Sequence, residues 1–403
     1  MNKLPVFRPV RAAVSEDNGH RMVTFHDPAN FVETPLTVSL PAYFLMSLMD
    51  GTRGVEALCA EFESQFGQNP GAENVTGLIK SLDEALLLDN ERYHSRKIEE
   101  DNWYGSLETR PAVFAGVSYP ADQAELGGAL DSLLKSAATS DSANGVKAVI
   151  APHIDFRVGA DMMAQAWVKA AKSGADLYII LGIGHTMTED FFACFGKDYD
   201  TPLGPMRVDR EFLAALELNF GESVFKNAAA HRYEHSIEFA SLFMAHIFKR
   251  KPEVTAVPIL LSFHETYLKM DHPVFGGERI SKFIAALKKT AEECGRKVCF
   301  VASVDFAHVG ARFGDSHALD DSELGRIQKD DNTLMNAISS MDTHGFLKEI
   351  ERVNCGNRIC GFPAIYTMMS VCGAERGKVL SYRQNIEGER ENVVSFASMI
   401  LSG

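Results

Sequence analysis

Histidine and aspartate residues follow three short apolar runs of the sequence, each of a length that suits one strand. The residues at these positions are His153, His185, Asp305 and His308. Imidazole nitrogens and carboxylate oxygens bind transition metals, and both groups can transfer protons. A single histidine after a strand is more often a hydrogen-bonded structural residue. Three such positions in one chain favour a shared functional site.

A cysteine in a turn-forming stretch adds a sulfur atom to these candidates. Cys360 lies next to Gly361 and two residues after Arg358, and a loop thiol near an arginine ionises more readily than one in an apolar run. Five other cysteines have hydrophobic or helical surroundings: Cys59, Cys194, Cys294, Cys299 and Cys372. No Cys-x-x-Cys pair occurs, so a zinc ribbon is excluded and the fold must bring any metal ligands together.

A further motif, Glu-His-Ser-Ile-Glu at residues 234–238, precedes an apolar helical stretch. In a helix, Glu234 and Glu238 would share one face. Glu234 and His235 could form an acid/base pair or orient metal ligands. Carboxylates at a helix start are also favoured by the helix dipole, and that structural explanation is equally compatible with the motif.

The elements that must position these residues are buried strands alternating with amphipathic helices. The strand-like runs cover residues 147–150, 177–181, 254–260 and 298–303. Nearly continuous apolar runs indicate a sheet that is covered on both faces. We therefore predict an α/β domain over residues 105–403, with a central, mostly parallel sheet covered by helices. Ligands bind beyond the carboxyl ends of such strands, where the three loops can converge.

Residues 1–100 predict a small helical, winged-helix-like module. Ser39 can cap its first helix and Asn74 its third, and a strand-like run follows at residues 86–88. The polar segment 94–108 suits a surface linker. The third helix carries no basic cluster, so DNA binding is not expected.

Composition excludes several classes of partner. A formal net charge of -14 opposes binding to nucleic acid, since that affinity depends on Lys and Arg neutralising phosphates. No apolar run of about 18 residues is present that could span a membrane. The seven scattered cysteines and the interrupted N-terminal segment indicate reduced thiols and a cytoplasmic location.

The motifs together resemble the Memo family, whose bacterial members are called AmmeMemoRadiSam system protein B. They are Ala-Pro-His, Gly-x-x-His, Glu-His-Ser-Ile-Glu, Ser-x-Asp-Phe-x-His and Ile-Cys-Gly, in this order. The resemblance implies a fold related to the class III extradiol ring-cleaving dioxygenases. It also implies a mononuclear site in which His153, His185 and Cys360 hold one transition metal ion, with iron or copper favoured and zinc possible. Asp305, His235 and His308 would then orient ligands or move protons.

Two residues depart from the usual pattern of the family, and the N-terminal module shows a separate resemblance. Asp155 follows the Ala-Pro-His motif and Thr186 stands where a second histidine is common in the family, so an additional oxygen ligand could change the metal preference. Residues 43–52 and 86–89 are similar to the PqqD-like family, whose members bind peptides. A radical SAM protein is a partner implied by the resemblance.

Three functions are compatible with these observations. The first is metal-dependent redox chemistry, as in an oxidoreductase, on a small molecule or dioxygen at the open metal position. The second is a non-catalytic protein that binds a peptide or a partner of a radical SAM-associated system. The third is metal-assisted hydrolysis with Glu234 or Asp305 as the general base.

Overall fold

The chain divides into two compact units, Met1–Leu107 and Glu108–Gly403. The computed structural model describes residues 4–8, 10–17, 20–27, 31–32, 36–138, 145–187, 189–315 and 318–403. The division falls beside the polar segment 94–108, but most of that segment is helical rather than an irregular linker. Its charged residues form i,i+4 ion pairs such as Lys97 with Asp101, as expected on an exposed helix face.

In its described residues, the first unit combines a three-stranded antiparallel sheet, in the order β1-β2-β3, with four helices. Its strands are β1 (Arg11–Asp17), β2 (His20–His26) and β3 (Leu36–Ser39). Its helices are α1 (Leu40–Ser47), α2 (Val55–Phe66), α3 (Ala72–Glu84) and α4 (Glu91–Ser106). The helices and the sheet bury one apolar cluster that includes Phe25, Met46, Leu58 and Leu82.

The helix starts of this unit test two of the predicted caps. Ser39 caps α1, since its hydroxyl oxygen accepts the N–H of Ala42. The prediction for Asn74 is wrong: α3 begins at Ala72 after Gly71, and Asn74 lies within the first turn and donates to the carbonyl of Pro70. Strands β1 to β3 were not indicated by the sequence pattern.

The second unit is an α/β domain, as predicted. Its strands are β4 (Val146–Ala151), β5 (Leu177–Ile183), β6 (Phe192–Cys194), β7 (Thr255–Leu261), β8 (Val298–Ser303), β9 (His308–Gly310), β10 (Arg376–Glu387) and β11 (Asn392–Ser402). Its α-helices are α5 (Gln123–Ala137), α6 (Phe156–Lys172), α7 (Arg210–Phe220), α8 (His235–Ile247), α9 (Gly277–Glu293), α10 (Asp321–Ser339), α11 (Thr343–Asn357) and α12 (Phe362–Val371).

The sheet of this unit has the order β10-β11-β4-β8-β5-β7-β6, and β9 pairs with β11. The four predicted strands, β4, β8, β5 and β7, form its parallel centre. The strands outside this centre pair in antiparallel fashion, including the long β10–β11 hairpin, so the sheet is mixed. Because β4, β5 and β8 are adjacent and parallel, the loops that follow them meet at one edge.

Within the described part of the chain, no helix combines the length and the apolar character that crossing a bilayer requires.

The second unit is expected to fold without the first. A protein of residues 105–403 should melt cooperatively, because the division between compact units lies at Leu107 and each unit buries its own apolar cluster. Circular dichroism melting and size-exclusion chromatography would check this. An aggregated truncation would show that the two units share a core.

Candidate metal centre

His153 lies two residues beyond the end of β4 and is buried. Its Nδ1 is 2.8 Å from the carbonyl oxygen of Ser303. Because a carbonyl only accepts hydrogen bonds, Nδ1 carries the proton and Nε2 keeps its lone pair. Burial, together with the nearby His185 and His235, holds the pKa of His153 well below its usual range. The imidazole is therefore neutral and ready to bind a metal through Nε2.

His185 follows β5 and is held in the same way by a carboxylate. Its Nδ1 is 3.0 Å from both carboxylate oxygens of Glu234, and its backbone N–H donates to Glu234 Oε2 at 3.0 Å. The partner of Nδ1 again fixes the tautomer, so Nε2 is the available nitrogen. A carboxylate or a carbonyl on the other ring nitrogen is the usual support for a metal-binding histidine.

Cys360 lies in the turn between α11 and α12. Its Sγ is 3.5 Å from Nε2 of His153 and 3.6 Å from the carbonyl oxygen of Asp305. Burial and the neighbouring Asp305 carboxyl raise the pKa of the Cys360 thiol well above its usual range. The expectation that Arg358 promotes ionisation is not confirmed, because its guanidinium pairs with Asp315 instead.

The donor atoms of His153, His185 and Cys360 all lie within 4.8 Å of one another. The 3.5 Å between sulfur and nitrogen suits two ligands of one ion with bonds of about 2.0–2.3 Å. Two imidazoles and one thiolate form a donor set that zinc, iron and copper accept. The residues present therefore fit a mononuclear transition-metal site, with the thiol proton released on binding.

Glu234 organises a second histidine besides His185. His235 Nδ1 is 3.2 Å from Glu234 Oε1, and the His185 and His235 rings are stacked with centroids 4.9 Å apart. Burial alone would raise the pKa of Glu234, but the two imidazoles and its hydrogen bonds outweigh burial and hold it well below its usual range. These three residues could also hold an ion. Because Glu234 already accepts hydrogen bonds from the N–H groups of His185 and Ser236, we favour an orienting role for it over metal binding.

Asp305 comes from the loop between β8 and β9, and His308 is the first residue of β9. Asp305 Oδ1 accepts the backbone N–H of His153, and its Oδ2 is 3.7 Å from His153 Nε2. Burial raises the pKa of Asp305 to about 7. Burial and the nearby His185 lower the pKa of His308 to about 4, and its Nδ1 is 3.1 Å from the carbonyl oxygen of Phe306. Asp305 thus lies beside the donor atoms and contacts two of the three residues, His153 through its carboxyl group and Cys360 through its carbonyl oxygen.

Asp155 is engaged outside the donor set. Its carboxylate caps α6 through the N–H of Arg157, pairs with the guanidinium of Arg157, and accepts the hydroxyl of Ser118. It belongs to neither group of residues that could hold an ion within the described part of the chain. The change in metal preference that its position suggested therefore has no geometric support.

A buried ion pair that the sequence analysis missed holds the segment beside His235. Glu238 pairs with Arg110, and both side chains are fully buried. Glu238 also accepts the backbone N–H of Phe114 and the hydroxyl of Tyr119. The Phe114 ring then lies edge-on to His235, with centroids 6.0 Å apart. Glu234 is the N-cap and lies outside α8, so the two glutamates do not share a helix face as expected. The available signal was a carboxylate between the apolar residues Ile237 and Phe239, which calls for a buried partner.

Gly361 lets the cysteine loop approach the Asp305 loop closely. Its N–H donates to the carbonyl of Asp305 at 3.1 Å, and a Cβ at this position would lie 2.5 Å from that oxygen and 2.9 Å from Cβ of Val304.

Gly361→Ala is therefore expected to destabilise the fold by about 1–3 kcal/mol and to displace Cys360. The melting temperature and the metal content should both fall. In the control Gly356→Ala the added Cβ would have no atom within 4 Å, so this variant should be tolerated. Unchanged metal content in Gly361→Ala would contradict this close-approach argument.

Comparison with known proteins identifies the family of this chain. The family described as Memo-like protein matches residues 110–400. The chain is 28% identical over 377 residues to a MEMO1 family protein of Aquifex aeolicus, covering 93% of this chain and 94% of that protein. A MEMO1 family protein of Thermus thermophilus is 25% identical over 354 residues, 88% of this chain and all of its own length. One of Pyrococcus furiosus is 27% identical over 303 residues, 72% of this chain and 98% of its own. The chain therefore belongs to the Memo family.

Proposed function

We propose that this protein binds one transition metal ion through His153, His185 and Cys360 for redox chemistry on a small molecule or dioxygen. The observation that carries the proposal is the contact that each of the two histidines makes through Nδ1 with an acceptor oxygen. Each uses Nδ1–H on an acceptor and leaves Nε2 for the ion, beside the sulfur of Cys360. When bound, iron or copper supplies an open coordination position and the capacity to exchange an electron.

The surrounding residues act on whatever occupies the open position. Glu234 keeps the rings of His185 and His235 nearly parallel, at an interplanar angle of 18°. His235 and Asp305 are both adjacent to His153, with the His235 ring centroid 5.1 Å from that of His153. They are therefore the groups placed to give a proton to a bound molecule or take one from it. His308, whose Nδ1 is 3.1 Å from the carbonyl oxygen of Phe306, is proposed as a supporting residue.

His235→Ala and Asp305→Asn are expected to retain most of the metal but to react more slowly. The three proposed ligands remain in each variant, while loss of an acid/base group typically costs about 10²–10⁴-fold in rate. Metal content measured by mass spectrometry and the rate of oxygen consumption by the protein loaded with Fe²⁺ would separate the two effects. A variant that loses its metal as completely as Cys360→Ala would identify the residue as a direct ligand.

Metal-assisted hydrolysis is the second candidate, and one observation favours Asp305 over Glu234 as its base. Both oxygens of Glu234 already accept N–H groups from His185 and Ser236. Asp305 Oδ2, by contrast, faces Nε2 of His153 at 3.7 Å, next to the proposed ion. If the protein binds zinc and consumes no oxygen, the result would support hydrolysis over redox chemistry.

The proposal extends by family resemblance to fold relatives and partners. We propose that the second unit is related in fold to the class III extradiol ring-cleaving dioxygenases, supported by a group of candidate metal ligands beyond the carboxyl ends of parallel strands. We assign the first unit to the PqqD-like type, supported by its small antiparallel sheet and following helices. A peptide and a radical SAM protein are then the partners to test, in the cytoplasm.

A further inference from the structure

Arg358 adopts a backbone conformation that is unusual for its residue type. It ends α11 with φ 48° and ψ 60°, in the left-handed region where glycine or asparagine is normally found. Its own N–H closes the helix by donating to the carbonyl of Asn354 at 2.8 Å. An arginine at this position carries a steric cost that glycine would avoid. A compensating contact of its side chain is therefore expected.

The guanidinium of Arg358 hydrogen-bonds to strand β9 and to Asp315, which follows that strand. It donates to both carboxylate oxygens of Asp315, at 2.7 and 2.9 Å, and to the backbone carbonyl of His308 at 3.1 Å. Asp315 in turn accepts the N–H of Gly310 at 2.8 Å. A bidentate pair with a carboxylate is the strongest and most directional of the common side-chain hydrogen-bond arrangements.

Strand β9 is itself fixed, because it pairs with β11 of the central sheet. The cysteine loop is joined to the same region at a second point, where the N–H of Gly361 donates to the carbonyl of Asp305. Cys360 therefore lies between two anchors: Arg358 on one side and Gly361 on the other. Gly361 connects it to Asp305 in the loop before β9, and Arg358 connects it to His308 at the start of β9.

We propose that Arg358 is a positioning residue for the metal ligand Cys360, which it holds at binding distance from His153 by fastening the end of α11 to strand β9. This inference rests on the proposed metal site. Arg358 does not touch the donor atoms; it acts through the backbone that leads to Cys360. The strained backbone conformation is tolerated because the side chain makes this attachment.

Substitution by glycine separates the two functions of Arg358. Arg358→Gly removes the guanidinium but suits the left-handed backbone, so the helix end should persist and the melting temperature should stay close to that of the unaltered chain. Without the attachment, Cys360 should shift relative to His153. Changes in the support of metal ligands typically weaken metal affinity about 10–100-fold.

The test is a titration of the metal-free full chain with Co²⁺, followed through the sulfur-to-cobalt charge-transfer absorption. Arg358→Gly should bind Co²⁺ about 10–100-fold more weakly than the unaltered chain and show a reduced charge-transfer band. Asp315→Asn, which keeps Arg358 but removes the charge of its partner, should shift in the same direction. Arg383→Ala serves as the matched control, because Arg383 also pairs with an aspartate, Asp161, and donates to a carbonyl, that of Val158.

Two outcomes would contradict different claims. If the unaltered chain shows the band and both variants keep the same affinity and absorption, Arg358 has no positioning role. If the unaltered chain shows no sulfur-to-cobalt band, the metal site itself is wrong. Should Arg358→Gly fail to fold, Asp315→Asn still decides the role of the attachment.

Discussion

Cys360→Ala is expected to leave the protein folded but nearly free of metal. The substitution removes one of three donor atoms, and the remaining nitrogens of His153 and His185 form a far weaker set than one completed by a thiolate. We expect metal affinity to fall by more than the roughly 100-fold that indirect changes produce. His153→Ala and His185→Ala should act in the same direction. Metal content per chain after dialysis, measured by mass spectrometry, provides the readout.

The chain offers a matched control for this substitution. Cys355 lies in α11, is exposed, and is absent from the groups of described residues that could hold an ion. Cys355→Ala should therefore keep full metal content and the same melting temperature. Full metal occupancy in all three ligand variants would show that the ion binds elsewhere or that no specific site exists.

Of the substitutions named for this chain, Glu238→Ala should lower the free energy of unfolding most. The substitution leaves the guanidinium of Arg110 buried without its carboxylate, and it also removes the acceptor for the Phe114 N–H and the Tyr119 hydroxyl. Breaking a buried pair by removing one partner costs about 3–5 kcal/mol. For a protein of this size, the melting temperature should fall by on the order of 10 °C.

Asp161→Ala is the comparison for this effect. Asp161 also pairs with an arginine, Arg383, but both side chains are more than two-fifths exposed, 46% and 42%. An exposed pair contributes about 0.2–1 kcal/mol, so the melting temperature should change little. Scanning calorimetry of both variants would give the difference. Equal effects would mean that the Arg110–Glu238 pair does not anchor the segment beside His235.

The sequence predicted the parallel centre of the second unit because its strands are continuous apolar runs. Strands β4, β5, β7 and β8 were all located this way, and the loops after three of them carry His153, His185 and Asp305. The β10–β11 hairpin escaped this reasoning, since β10 is only partly buried and its pairing depends on the distant β11. Strands β1 to β3 escaped it as well, because they form a separate small sheet.

The candidate donor residues could be named from the sequence, but the contacts around them could not. Local spacing identifies His153, His185 and Cys360 as candidates. The ring of His185 is held by Glu234, 49 residues away, and Arg358 finds its partner Asp315 at a separation of 43 residues. The sequence position of Arg358 near Cys360 suggested an electrostatic role, whereas the fold uses it as an attachment. Such long-range pairs follow from the topology and leave no local pattern.

The most direct test is the metal content of the full chain purified without a metal-binding tag and compared with Cys360→Ala. We predict about one transition metal ion per folded chain, iron or copper for the redox function and zinc for hydrolysis, and almost none in Cys360→Ala. A correctly folded chain that contains no metal and takes up none from Fe²⁺, Cu⁺ or Zn²⁺ solutions would contradict the proposed metal centre.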